Sequence, residues 1–288
     1  MTSKNTEIDQ QRKMLVVKSN DFIRRGRFNL SLTEQRIVLY IISKIRPGSE
    51  SFDVVTFEIR DFCEVCGIQY DANLTQIKEA IKTLADKSMW FLADGGKKET
   101  LVRWIEKPYL DVNSGTVRIR LDRDLIPYLL NVRDNYTQYE LISILALHSK
   151  YSIKLFEWLK SYASMGSVLV SVSDVRDYLQ TGDRYPQIKD FNKFVLSRAV
   201  DDINAYTGLE VEYRPIKSGK CITGYRFSIA EQQENQYVLA EAYLDGKRPT
   251  RHRRDMELKD VIESLQTSFF DECQSDVEGQ NNGKEREL

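Results

Sequence analysis

Three groups of residues in this chain have types and spacings that could support chemistry, and each suggests a different activity. Cys63 and Cys66 form a CxxC, a spacing found in zinc sites and redox-active thiol pairs. Asp201 and Asp202 are adjacent carboxylates of the kind that two-metal enzymes use. A long amphipathic helix expected over residues 188–206 has polar and basic side chains on its outer face, as DNA-reading helices do. Only the third group has supporting residues elsewhere in the chain.

The cysteine and carboxylate pairs lack the partners that a metal site needs. The chain has no second CxxC, and its two histidines, at positions 148 and 252, are distant in sequence. Neighbouring helix residues point about 100° apart, so Asp201 and Asp202 do not converge on one ion. Neither phosphate-cradling glycine motif, GxxxxGK[ST] or GxGxxG, occurs. We therefore predict no metal, no cofactor and no catalytic residues, and interpret the cysteines as packing residues.

The long helix has the side chains that base readout and phosphate contact require. Asn can pair with adenine and Lys can donate to guanine, provided that they lie on the exposed early part of a helix in the major groove. A basic turn between two expected strands, 209–216 and 221–230, suits the wing of a winged helix. The candidate DNA-binding residues of this half of the chain are Lys189, Asn192, Lys193, Ser197, Arg198, Lys217 and Lys220.

A repeated pattern places a second unit of the same kind earlier in the chain. Glu58-Ile59-Arg60-Asp61-Phe62 recurs as Asp174-Val175-Arg176-Asp177-Tyr178. Each copy follows a β-like run and precedes a long amphipathic helix and two strand-like runs. A repeat of this size indicates duplication of a whole small domain. The order strand, helix, turn, helix, strand, strand is that of a winged helix-turn-helix.

In the first unit the long helix is expected over residues 72–87, and a hairpin over 100–105 and 116–121. The outward residues of these elements are long cations and one threonine, which suit phosphate contacts better than base readout. The candidates are Thr75, Lys78, Lys82, Arg118 and Arg120.

The sequence thus predicts an α+β fold with tandem winged helix-turn-helix domains related by internal duplication. Residues 131–137 read as a linker, so we place the boundary there. The expected divisions are a flexible N-terminus over 1–13, a first domain over 14–131 for phosphate contacts and dimerisation, a second domain over 132–230 for sequence-specific binding, and a largely disordered polar tail over 231–288.

Charge is distributed unevenly along the 288 residues. Residues 231–288 carry 8 Lys and Arg against 14 Asp and Glu, which leaves 34 basic and 29 acidic residues of the totals of 42 and 43 in residues 1–230. A mildly basic folded part is compatible with nucleic-acid binding. No apolar run approaches the 18 residues of a membrane span, and no secretory signal opens the chain. We expect a cytoplasmic protein of the bacterial nucleoid or plasmid, with no membrane partner.

These residues resemble the initiator replication proteins of iteron plasmids, the RepB-type family with two winged helices. The similarity covers about residues 14–230. It depends on Val16-Val17-Lys18-Ser19-Asn20, on Leu30–Arg36, on the spacing of Phe191, Val195, Leu196, Ala199, Ile203, Asn204 and Thr207, and on Val211, Tyr213 and Tyr225–Ile229.

The resemblance implies a non-enzymatic protein that binds directly repeated double-stranded origin sites as a monomer. It further implies autorepression as a dimer and recruitment of the host replication initiator and replicative helicase. Two alternatives remain open: a dual winged-helix transcriptional repressor without an origin role, and a rolling-circle nicking initiator. The absence of a paired-histidine metal motif weighs against the second alternative.

Overall fold

The computed structural model describes residues 2–45, 49–93, 98–111, 113–130, 132, 134–232 and 237–246. Its first half contains six helices and six strands within those ranges. They are α1 (Thr2–Arg12), β1 (Leu15–Ser19), α2 (Asn20–Arg25), α3 (Leu32–Ser43), β2 (Val55–Glu58), α4 (Ile59–Val65), α5 (Tyr70–Asp86), β3 (Ser88–Ala93), β4 (Lys98–Arg103), β5 (Tyr109–Leu110), β6 (Thr116–Ile119) and α6 (Ile126–Leu129).

The second half repeats this plan with fewer insertions. Its elements are β7 (Tyr136–Glu140), α7 (Ile142–Leu145), α8 (Lys150–Lys160), β8 (Ser167–Ser171), α9 (Val172–Leu179), α10 (Ile188–Phe191), a π-helical turn (Asn192–Ser197), α11 (Arg198–Tyr206), β9 (Leu209–Ser218), β10 (Cys221–Glu231) and α12 (Val238–Leu244). We call α5 the first recognition helix, and the continuous run α10, π turn and α11 the second recognition helix. No helix in the described part combines the length and apolarity needed to cross a bilayer.

The two halves have the same sheet topology. In the first, antiparallel strands run in the order β2-β6-β5; in the second, the order is β8-β10-β9. In both cases the strand before the helix-turn-helix pairs with the last strand of the hairpin that follows it. The predicted fold class, two winged helix-turn-helix domains, is confirmed.

The residues of the repeated sequence pattern make equivalent contacts in both domains. Ile59 and Val175 are fully buried on the first helix of each helix-turn-helix. The guanidinium of Arg60 lies 4.4 Å from the ring centroid of Tyr70, and that of Arg176 lies 4.4 Å from the ring of Phe191. Each arginine therefore connects the first helix of its helix-turn-helix to an aromatic residue in the first turn of the recognition helix. This contact stabilises the angle between the two helices.

Helix α3 begins with a capping box. The Oγ atom of Ser31 accepts from the Glu34 backbone N–H at 3.2 Å, and the Glu34 carboxylate accepts from the Ser31 N–H at 2.6 Å, which is a complete capping box. The helix is buried on nearly all sides, with Ile37 and Ile41 at its centre.

The hairpin expected over 100–105 and 116–121 is wrong. β4 pairs with β3, and β6 pairs with β2 and β5; only an isolated bridge joins Ile105 to Leu121. Only four residues separate β3 from β4, so this pairing closes a much shorter loop than the expected one.

Both ends of the folded chain also differ from expectation. Residues 2–12 form α1 instead of a frayed segment, and 238–244 form α12 within the expected tail. β7, at the expected linker, pairs with β1, so a two-stranded sheet crosses the expected boundary at 131/132. These segments are held by tertiary contacts that leave no periodic signal in the sequence. Residues 247–288 of the expected tail lie outside the described residues.

Candidate nucleic-acid interface

The second helix-turn-helix has a rigid turn. Arg176 donates from Nη2 to the carbonyl oxygen of Tyr185 at 2.7 Å while its guanidinium lies over Phe191. Gln180 and Tyr185 both have left-handed backbone conformations, with φ of 54° and 58°. Non-glycine residues adopt this region at an energetic cost that surrounding contacts must offset. The arginine supplies one such contact, so it sets where the second recognition helix begins.

Three of the predicted cations lie on the exposed face of the second recognition helix. Lys189, Lys193 and Arg198 are exposed, and none forms an ion pair with another described residue. They lie on the first eleven residues of this helix, the part that enters a major groove in helix-turn-helix proteins. Free cations at this place are available to phosphates or guanine edges.

The π turn adds a residue that the sequence reading missed. Phe194 is 36% exposed, with the Lys193 ammonium 5.3 Å and the Arg198 guanidinium 5.2 Å from its ring centroid. An apolar side chain three residues after the buried Phe191 would be assigned to the core at regular α-helical spacing. The wider turn instead brings it outward between two cations. An exposed aromatic residue here suits contact with a thymine methyl group.

Two other predicted residues of this helix face internal partners. Asn192 is half-buried, and its Oδ1 atom accepts a hydrogen bond from the hydroxyl of Tyr225 on β10. Ser197 is half-buried and hydrogen-bonds to the Asp201 carboxylate, whose pKa is nevertheless raised by burial and by the neighbouring Asp202. The structure therefore gives both side chains positioning contacts, which the expectation of direct base readout did not include.

The second wing has the predicted basic tip. β9 and β10 join at Gly219, where φ is +61°, and both Lys217 and Lys220 are exposed. Nothing lies within 4 Å of the position that a Cβ would occupy on Gly219, so the glycine is needed only for its backbone conformation. The wing tip therefore presents two ammonium groups on a narrow hairpin, the arrangement suited to a phosphate backbone.

The first domain presents a different surface at the equivalent places. On the first recognition helix Thr75 is exposed and Lys78 is half-buried, while the ammonium of Lys82 lies 2.7 Å from the Glu79 carboxylate. Arg118 is exposed on β6, but Arg120 donates from Nε to Glu106 at 2.8 Å. The turn between β5 and β6 contains Asp111 in place of lysines, with its carboxylate accepting from two backbone N–H groups.

The cysteine pair is buried, and Asp202 of the carboxylate pair hydrogen-bonds within the protein. Burial raises the pKa of the Cys63 thiol to about 11 and that of Cys66 to about 12, so neither is a ready thiolate. The Asp202 carboxylate accepts from the Ser152 hydroxyl at 2.7 Å and from the His148 backbone N–H at 3.0 Å. In the described ranges no cluster of three or more His, Cys, Asp or Glu could hold a metal ion.

Comparison with known proteins agrees with this architecture. The family model described as "Initiator Replication protein, WH1" matches residues 15–160, and "Initiator Rep protein, WH2" matches 171–229. A "Replication initiation protein" of Escherichia coli is 19% identical over 91% of this chain and 90% of its own length. An "Uncharacterized 27.6 kDa protein" of the same organism is 21% identical over 77% of this chain and 96% of its own length.

Solved structures with a similar fold include an initiator bound to DNA. The Pi initiator protein, crystallised in complex with iteron DNA, superimposes with a TM-score of 0.65 at 19% identity, over 77% of this chain and 99% of that one. Both the first and the second winged helix thus have counterparts in one described family, and their ranges together leave out only the chain ends and a short connection. The chain belongs to the initiator replication protein family, with one WH1 and one WH2 domain.

Proposed function

We propose that this protein binds directly repeated double-stranded origin sites through both winged helices, and that its second domain reads the base sequence. The observation that carries the proposal is the set of unpaired cations on two elements of that domain. These are Lys189, Lys193 and Arg198 on the recognition helix and Lys217 and Lys220 on the wing. In the first domain Arg118 and Lys78 are proposed to contact phosphates, with Thr75 beside them; Lys82 and Arg120 must first leave their carboxylate partners.

Footprinting on the DNA upstream of the gene tests this proposal. We expect protection of several direct repeats of about 20 base pairs, since each domain occupies roughly one helical turn. Random-sequence competitor DNA should not abolish the protection. A single inverted operator with no protected direct repeats would overturn the proposal in favour of the repressor alternative. The absence of any specific protection would reject both.

We also propose that the chain dimerises through its first domain and binds the direct repeats as a monomer. In the described sheets β4 pairs only with β3, so its other edge is open to a second strand. The cross-strand pair Trp90 and Leu101 is 60% and 48% exposed, a hydrophobic patch suited to burial in a dimer. Symmetric pairing of this edge would direct the two second domains toward inverted half-sites.

Sedimentation with and without DNA decides the oligomeric proposal. Free protein should show a concentration-dependent dimer that Leu101→Lys abolishes, and one direct repeat should bind one chain. A matched exposed change on the opposite domain, Leu169→Lys, should leave the dimer intact. An intact dimer on a single repeat would contradict the proposed switch.

The remaining parts of the proposal rest on the family resemblance. These are autorepression of the gene, recruitment of the host initiator and replicative helicase, and the lack of nuclease, nickase or NTPase activity. Supercoiled origin DNA incubated with the protein and magnesium should stay supercoiled. A nicked product lost in a tyrosine variant would instead support a rolling-circle mechanism.

A further inference from the structure

Helices α1 and α12 lie outside both family ranges, and they meet each other at the first helix-turn-helix. Arg12, at the end of α1, is 4% exposed. Its Nη1 atom donates to the Asp245 carboxylate at 2.7 Å, and its Nε atom donates to the Val65 carbonyl oxygen at 3.1 Å. One guanidinium thus joins the N-terminal helix, the last turn of α4 and the end of α12. A buried guanidinium that donates to several acceptors at once holds them in fixed geometry, because its donors form a rigid planar fork.

The turn of the first helix-turn-helix is seated directly on α12. Gly67 has a φ of +61°, and a Cβ on it would lie 2.4 Å from the carbonyl oxygen of Leu244 and 2.7 Å from its Cα atom. These distances are far inside van der Waals contact, so only glycine permits this approach. The end of α12 therefore lies against the residues that lead into the first recognition helix.

The other side of α12 packs on the second recognition helix. The rings of Tyr243 and Tyr206 have centroids 5.6 Å apart, and the His148 ring lies 4.9 Å from that of Tyr243. Ala240 and Leu244 of α12 are also buried. Helix α12 consequently touches the turn before one recognition helix and the last residue of the other.

We propose that α12 is a strut between the two helix-turn-helix motifs, and that Arg12, Gly67 and Asp245 are positioning residues that set the spacing of the DNA segments the protein accepts. B-DNA turns once in about 10 base pairs, so each added base pair rotates one half-site by about 35° relative to the other. A braced protein cannot follow that rotation, whereas a loosened one can. The inference rests on the proposed binding to origin repeats, because spacing selectivity presupposes that both domains contact one site.

The test compares binding to the footprinted repeat with binding to the same duplex carrying one or two base pairs inserted at its centre. Wild-type protein should bind the inserted duplexes more weakly, by a penalty on the order of tenfold or more. Gly67→Ala should reduce that penalty to about threefold or less, because the added methyl group displaces α12. Gly166→Ala is the matched control: its φ is +68°, but nothing lies within 4 Å of its Cβ position. It carries the same left-handed strain and should keep the wild-type penalty.

Asp245→Arg provides a second variant that tests the strut without touching the turn. It places two cations together at Arg12, and Glu210→Arg makes the same charge change at an exposed site of the second domain. We expect the reduced spacing penalty only for Asp245→Arg. Equal penalties in wild type, Gly67→Ala and Asp245→Arg would overturn the strut while leaving the proposed function intact. Failure of wild type to prefer its repeat over random DNA would instead reject the proposed function.

Discussion

The two winged helices share their topology and their bracing residues but not their outer surfaces. Arg60 lies over the ring of Tyr70 and Arg176 lies over the ring of Phe191, in each case 4.4 Å from the ring centroid. Both aromatic residues lie in the first turn of a recognition helix. At the candidate DNA-binding positions, however, the first domain pairs Lys82 and Arg120 with its own carboxylates, whereas the candidate cations of the second domain have no ion-pair partner among the described residues. The two domains therefore share the arginine contact that positions the helix, but they differ in the charges at the candidate DNA-binding positions.

The two recognition helices also differ in net charge near their start. Residues 188–198 include three cations and one carboxylate, a local net charge of +2, whereas residues 70–80 include Lys78 against Asp71 and Glu79, a net charge of −1. Because phosphate contacts supply much of the affinity for DNA, the second domain should contribute more of it. The first domain should correspondingly contribute less of it.

The largest expected effect is on the free cation Lys193. Lys193→Ala should weaken binding to the specific repeat by about 1–3 kcal/mol, because a base or closely placed phosphate contact is lost. Lys82→Ala, which removes an ion-paired cation of the first recognition helix, should cost at most about 0.5 kcal/mol, since Glu79 already competes for that ammonium. Fluorescence anisotropy with the repeat and with random DNA measures both. Equal losses for the two variants would show that the surface contrast has no energetic consequence.

Variants of Asn192 and Tyr225 test whether Asn192 positions the second recognition helix or reads a base. The Asn192→Ala and Tyr225→Phe variants both remove the hydrogen bond between the second recognition helix and β10, so we expect similar changes in binding from each. A loss confined to Asn192→Ala, and specific to one base pair of the repeat, would restore the base-reading role first expected for this residue.

The next effect concerns Lys154, which lies where the two domains join. Its ammonium donates to the Phe28 carbonyl oxygen at 3.0 Å and lies 4.9 Å from the ring of Tyr178 in the second helix-turn-helix. Burial, reinforced by repulsion from Arg27, lowers its pKa to about 7. The folded protein therefore releases this proton near neutral pH, whereas the unfolded chain holds it until about pH 10.4.

Between those values the unfolded state binds more protons, so the free energy of unfolding rises with pH, by up to about 1.4 kcal/mol per pH unit. The raised pKa values of Cys63 and Cys66 act in the opposite direction only once unfolded thiols ionise, near pH 8.5. Urea denaturation between about pH 7 and 8.5 should show the rise in wild type. It should be absent from Lys154→Met, and an unchanged rise in that variant would assign the proton to another group.

The sequence predicts the second domain better than the first for a physical reason. The apolar periodicity of residues 188–206 and the basic turn at Lys217 are local signals, and the structure has both. The pairing of β4 with β3, the sheet between β1 and β7 and the docking of α12 depend on contacts between distant residues. Likewise, Phe194 is exposed because of one wide turn, which no spacing rule anticipates.

Phe194 gives a smaller and more specific effect. If its ring contacts a thymine methyl group, Phe194→Ala should weaken binding by about 1 kcal/mol, which is close to the free energy of burying one methylene group. Replacing each thymine of the repeat in turn with deoxyuridine removes only that methyl group. One position should weaken wild type but not Phe194→Ala. If the two losses add at every thymine, the ring serves only to pack between Lys193 and Arg198.

The smallest effect compares the two wings through salt. Lys217→Ala and Lys220→Ala should each reduce the slope of log K against log salt by about 0.9, the value for one phosphate contact. Arg118→Ala should do the same if the first wing reaches the backbone, because this guanidinium is exposed. Arg120→Ala should leave the slope unchanged, since Glu106 already neutralises that charge and its release on binding would cost what the phosphate contributes. Over a fourfold change in salt, each lost contact alters affinity only about threefold, so the slope must be measured across several salt concentrations.

A slope change for Arg120→Ala equal to that for Lys217→Ala would mean that the ion pair opens on DNA. The paired surface of the first domain would then be a resting arrangement, and the two domains would be more alike on DNA than they are without it.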